Sequence, residues 1–157
     1  MSIYNNVNVP AGANGYFVNG YQLLDNYIVG DKASDVKVGT FACKSDNEGE
    51  IVGAKGDGAV VGFIHFQGYK MQSSGLELVA GERVSIDIGN MAIYAMDVPD
   101  GTTCKKDDYI GIVKASGELV FNKDKSAVGS GANKDTGYKV VSSNNGATPG
   151  LIHIKRV

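Results

Sequence analysis

The chain of 157 residues carries 15 Lys and Arg against 17 Asp and Glu, a net charge of −2, with 43% hydrophobic and 20% charged residues. That length suits one domain, and so balanced a charge excludes self-repelling disorder and argues against a nucleic-acid partner. With 22 Gly, and 29 Val plus Ile against 6 Leu, the composition describes short strands punctuated by turns. The longest stretch free of Gly and Pro is Glu118–Val128, eleven residues, so at most one or two short helical turns are expected where a helix ordinarily takes about 8–20 residues.

Residues 1–20 are uncharged, rich in Asn, Gly and Ala, and punctuated by Pro10, Gly12, Gly15 and Gly20. They read as an extended N-terminal arm, with residues 21–157 as a single β-rich domain. Strand signals begin at Tyr21–Leu24 and Tyr27–Val29 and continue through Val36–Cys43, where apolar groups alternate. Lys44–Gly49 is a polar turn, Ile51-Val52 restarts a strand, Gly53–Gly58 is a glycine-rich loop, and Ala59–Phe66 is an apolar run of the kind buried on both faces. Leu76–Val79, Val84–Ile88 and Met91–Met96 follow, and Asp100-Gly101 marks the next reversal. Tyr109–Val113 and Leu119–Phe121 precede a polar excursion from Asn122 to Gly137, after which Tyr138–Val141 and Leu151–Ile154 close the chain. Ten or so short strands about 8–12 residues apart predict an all-β fold, a barrel or sandwich of short antiparallel strands behind an extended arm.

Met1–Leu24 has no charge, yet Asn5, Asn6, Asn8, Asn14 and Asn19 interrupt every apolar run. Neither a signal peptide nor a spanning helix is expected, and no membrane partner. Cys43 and Cys104 read as ordinary buried or half-buried thiols of a protein made in a reducing cytoplasm, with one disulfide between them left open because sequence does not place their Cα atoms.

A search for chemistry finds little. His65 and His153 are the two histidines, each between apolar neighbours on a predicted strand, and alternation turns both outward. Gly53–Gly58 lacks the Gly-Lys-Ser/Thr ending of a phosphate loop, and Gly129–Lys134 has no long helix to follow it. The acidic groups at Asp46–Glu50 and at Asp97, Asp100, Asp107 and Asp108 do not match calcium-loop spacing. No serine lies in a nucleophile elbow and the five glutamates are scattered. The expectation is a protein that is not an enzyme and carries no metal or cofactor. Tyr4, Tyr16, Tyr21 and Tyr27 crowd the first 27 residues; tyrosine suits a contact surface, although Tyr21 and Tyr27 also read as core strand residues.

Five segments taken in order, Asp35–Phe41, Val61–Ile64, Ala80–Ile86, Lys106–Gly111 and Gly150–Ile154, resemble the cement, or head-decoration, proteins of tailed bacteriophages. Lys106-Asp107-Asp108 stands where that pattern has a glycine, and the arm lies outside the likeness. The resemblance implies a virion protein, made in the host bacterial cytoplasm, that binds the outside of the capsid where major capsid protein subunits meet and reinforces the shell, commonly as a trimer. The arm residues Tyr4, Val7, Val9, Pro10 and Tyr16 are then the candidate capsid contacts, with the Gly53–Gly58 and Asn122–Gly137 loops beside them. An alternative is a carbohydrate- or surface-binding β module of a phage tail or fibre.

Overall fold

The computed structural model describes residues 14–31, 35–66, 77–99, 101–142 and 150–157. Within them, the β-branched runs form β1 (Phe17–Tyr21), β2 (Leu24–Val29), β3 (Phe41–Lys44), β4 (Glu50–Val52), β5 (Val60–Phe63), β6 (Arg83–Asp87), β7 (Met91–Asp97), β8 (Tyr109–Val113), β9 (Leu119–Asn122), β10 (Asn133–Ser142) and β11 (Leu151–Arg156). A single-turn helix, α1 (Lys125–Gly129), falls at the end of the longest Gly- and Pro-free stretch, capped by the Asp124 carboxylate, which accepts from the Ser126 amide. No helix among these residues is long and apolar enough to cross a membrane.

The fold is all-β and sandwich-like, without a closed barrel. One sheet has six antiparallel strands in the order β1-β7-β11-β10-β8-β9, and the other has five in the order β5-β3-β4-β2-β6. Pairing is antiparallel, as expected, except at β2 and β4, which run parallel with Ile28 opposite Glu50 and Val29 opposite Ile51. The predicted strand Val36–Cys43 also shrinks to β3: Gly39 turns the chain at φ 82° and the Thr40 hydroxyl donates to the Lys37 carbonyl at 2.7 Å. The polar excursion after Asn122 contains α1 and the first half of β10.

Two cores hold this arrangement. Between the sheets, Tyr94, Met96, Ile110, Ile112, Tyr138, Ile152 and Ile154 meet Phe41 and Phe63, with the Phe41 ring 5.2 Å from Tyr138 and the Phe63 ring 5.6 Å from Tyr94. The second core, Val29, Val36, Val38, Ala42, Ile51, Val61, Leu78, Val84 and Ile86, draws on every strand of the five-stranded sheet, which curls until its edge strands β5 and β6 come together. They touch at Gly62, where a Cβ would sit 2.6 Å from Ile86 Cγ2 and 2.8 Å from the Asp87 carbonyl. No ladder closes the gap. The Arg156 guanidinium spans it instead, donating to the Ile88 carbonyl at 2.8 Å and to the Val61 carbonyl while lying 5.3 Å from the Tyr138 ring centre. Fully burying side chains of this size stabilises by about 1.5–3 kcal/mol each, so the two cores dominate the stability of a chain with little helix.

Candidate functional site

Among the described residues the chain passes between the two sheets at Gln22-Leu23 (β1 to β2) and at Ile88–Asn90 (β6 to β7), and one carboxylate ties these two crossings together. Asp87, 1% exposed, accepts at Oδ1 from the Leu23 amide at 3.0 Å and the Gly89 amide at 2.9 Å. Its Oδ2 accepts from the Tyr94 hydroxyl at 2.7 Å, and that hydroxyl accepts from Gln22 Nε2 at 2.9 Å. The Ile88 amide donates to the Leu23 carbonyl at 2.8 Å. Burial, then the Asp87 bond, raise the Tyr94 pKa, which keeps the phenol protonated and donating. A buried charge is tolerated because the carboxylate is met by three donors.

What this framework presents to solvent is apolar. Tyr21 is 76% exposed, Leu23 60% and Met91 57%, with Leu24 and Ile88 beside them. Tyr21 stands opposite Met91 across the β1–β7 ladder, and Leu24 stands opposite Asp87. Gly20 at φ 102° lets β1 approach Met91, whose carbonyl fills the space a Cβ would take. Asp25 is the one charged side chain in the segments 19–25 and 88–91. A preorganised patch of Tyr, Met, Leu and Ile that is nearly free of charge has the composition of a protein-interface core. We refer to it as the apolar corner.

The structure places the residues singled out in the sequence elsewhere. Tyr4, Val7, Val9 and Pro10 lie outside the described residues. Tyr16 is half-buried, stacked on Phe66 at 4.8 Å between ring centres, and the backbone around it is pinned: the Gly15 amide donates to Ala95, the Ala95 amide to Tyr16, and the Phe66 amide to Gly15. Residues 17–20, assigned to the arm from sequence, are strand β1. Tyr21 is a surface residue rather than a core one: β1 is a sheet edge, and its partner there is the likewise exposed Met91. The Gly53–Gly58 loop is held from below, since the buried Lys134 ammonium donates to the Gly56 and Gly58 carbonyls at 2.9 and 3.1 Å and contacts Cys43 Sγ at 3.2 Å.

The two histidines part company. His153 is half-buried on the outer face of β11, as alternation required. His65 is buried, contrary to the outward position expected, because the chain leaves β5 at Phe63 and alternation no longer applies. Its ring lies 5.4 Å from Tyr94 and its Nδ1 has no hydrogen-bond partner among the described residues. Burial lowers its pKa to about 4, with the Asp87 charge acting the other way. Cys43 and Cys104 are both buried; burial raises the Cys43 pKa, against the smaller influence of Lys134, which suits an inert thiol. Among the described residues, no three His, Cys, Asp or Glu side chains gather as metal ligands would.

No family model matches the chain, and no curated protein does. Four chains of solved structures match it. One belongs to the capsid of Myoviridae phage XM1: the likeness covers 99% of this chain and 97% of that one, with a TM-score of 0.53 and 11% sequence identity. The fold is that of a phage capsid chain. Sequence reasoning missed the corner because its members come from two segments more than 60 residues apart; the one local signal was an aspartate between Ile86 and Ile88, followed by Gly89-Asn90.

Proposed function

We propose that this chain is a non-enzymatic structural protein of a phage virion that binds the outer surface of the capsid and reinforces contacts between major capsid protein subunits, working as a small homo-oligomer, a trimer by the resemblance. The observation that carries the reading is the end-to-end likeness to a chain of a phage capsid structure. The apolar corner supports it, since exposed apolar side chains on a rigid frame are what docking on another protein requires. A protein that binds only the assembled shell shifts assembly in its favour, and many copies multiply a modest contact.

The test is co-sedimentation with expanded shells built from the major capsid protein of the phage that encodes the chain. The wild-type protein should bind saturably. Leu23→Ser with Met91→Thr should bind at least about tenfold more weakly while losing less than about 1 kcal/mol of stability, as exposed substitutions do. A wild-type protein that stays in the supernatant at stoichiometric excess overturns the reading.

A further inference from the structure

Registers across the six-stranded sheet line up one residue from every strand in a single outward-facing row. Asn122 of β9 stands opposite Tyr109 of β8, Tyr109 opposite Lys139 of β10, Lys139 opposite Lys155 of β11, Lys155 opposite Ile93 of β7, and Ile93 opposite Asn19 of β1. The alternate residues Ile110, Tyr138, Val140, Ile154, Ala92 and Tyr94 are buried between the sheets, so this row faces away from the core. Lys139 meets Tyr109 because of the irregularity between Asp135 and Tyr138 in β10. There Gly137 takes φ 77°, the Thr136 hydroxyl donates to the Ile110 carbonyl at 2.7 Å and the Tyr138 amide donates to Thr136 Oγ1 at 3.1 Å.

Two lysines directly opposite on neighbouring strands repel, and like charges so placed cost stability. Among the described residues neither lysine takes part in an ion pair, unlike Lys55 with Asp35, Lys114 with Asp57 and Lys125 with Asp135. Lys139 leans over the Tyr109 ring, 4.1 Å from its centre, which favours the cation but brings no counter-charge. With the chain at −2 overall, this cationic strip is local and not a reflection of net charge. It is also continuous with the apolar corner, since Met91 and Tyr21 form the next outward pair along β7 and β1 from Ile93 and Asn19. Neighbouring strands lie about 4.8 Å apart, so Lys155 and Lys139 stand roughly 5 and 10 Å across the sheet from Ile93.

We propose that the outer face of the six-stranded sheet is one docking face with an apolar end and a cationic end, and that its occupant is a shell-subunit surface that sets carboxylates against Lys139 and Lys155 beside an apolar patch that covers Tyr21, Leu23 and Met91. This deepens the capsid-binding reading and rests on it. The paired lysines steer encounter and fix register, while the corner provides the dehydrated contact.

The experiment measures binding to the same expanded shells for the wild type, Lys139→Glu with Lys155→Glu, Lys139→Gln with Lys155→Gln, and Lys139→Arg with Lys155→Arg, from 50 to 500 mM NaCl. The charge reversal is expected to weaken binding at least about tenfold at low salt, the neutral pair less, the arginine pair hardly at all, and only the wild type and arginine pair should lose affinity steeply with salt. Should the reversed pair misfold, the neutral pair and the salt dependence of the wild type carry the test. Wild-type binding that is indifferent to salt and to all three pairs overturns this proposal and leaves the capsid reading standing, whereas no wild-type binding overturns the capsid reading itself. Two other results overturn it in favour of a different occupant: a change of oligomeric state by light scattering with shell affinity intact points to a second copy, and lysine-dependent binding to duplex DNA with shell affinity intact points to nucleic acid.

Discussion

Asp87 and His65 are buried polar residues of opposite effect beneath the apolar corner. The carboxylate has a donor for each contact it needs, whereas the imidazole Nδ1 has no hydrogen-bond partner among the described residues. Because burial is the larger influence, His65 stays neutral down to about pH 4, while in the unfolded chain a histidine titrates near 6.5. Between those values the unfolded state holds a proton that the folded state lacks, so stability is complete above about pH 6.5, declines as pH falls, and levels off below about 4. The whole decline is about 3 kcal/mol. Urea denaturation of His65→Leu should show a flatter profile across that window, and the variant should gain on the wild type by about that amount at its acid end. Parallel profiles would assign the acid sensitivity to other groups.

At the scale of elements, the curled five-stranded sheet depends on one side chain from the other sheet. Arg156 in β11 bonds carbonyls on both sides of the gap between β5 and β6, and hydrogen bonds to a charged donor contribute about 1.5–3 kcal/mol each. Arg156→Ala should cost about 2–3 kcal/mol in denaturant unfolding, less than two such bonds in full because the site is partly exposed and water can hydrate the freed carbonyls. Arg156→Lys should fall between it and the wild type, because a single ammonium cannot span both carbonyls and stack on Tyr138. That suture was not legible in the sequence, although much around it was. Val84–Ile88 alternates cleanly, Met91–Met96 and Tyr109–Val113 are short runs bounded by turns, and they are β6, β7 and β8 with little change of boundary, while α1 falls at the end of the longest Gly- and Pro-free stretch. Local pattern fixes which residues form strands; it does not say which edges meet, that β2 and β4 run parallel, or that a shift in β10 sets Lys139 against Tyr109. The apolar corner and the lysine row exist only through those pairings, which is why tyrosines of the N-terminal arm drew attention that Leu23, Met91 and Lys155 did not.

For the molecule as a whole, the placement of the contacts dictates an orientation on the shell. The corner and the lysine row share the outer face of the six-stranded sheet, while the β3–β4 hairpin, with Asp46, Asn47 and Glu48 in its turn, belongs to the five-stranded sheet beyond the inter-sheet core. A protein docked through the first face leaves that hairpin in solvent. Asn19 and Glu48 are both exposed, and both native cysteines are buried, so a single introduced thiol reports on its own position. Maleimide labelling of Asn19→Cys should slow by about tenfold or more when shells are present, as expected at a dehydrated interface, whereas Glu48→Cys should label at the same rate free or bound to within about twofold. Protection of Glu48→Cys with Asn19→Cys unprotected would mean that the chain docks through the curled sheet, and the corner and lysine row would then have to serve contacts between neighbouring copies instead.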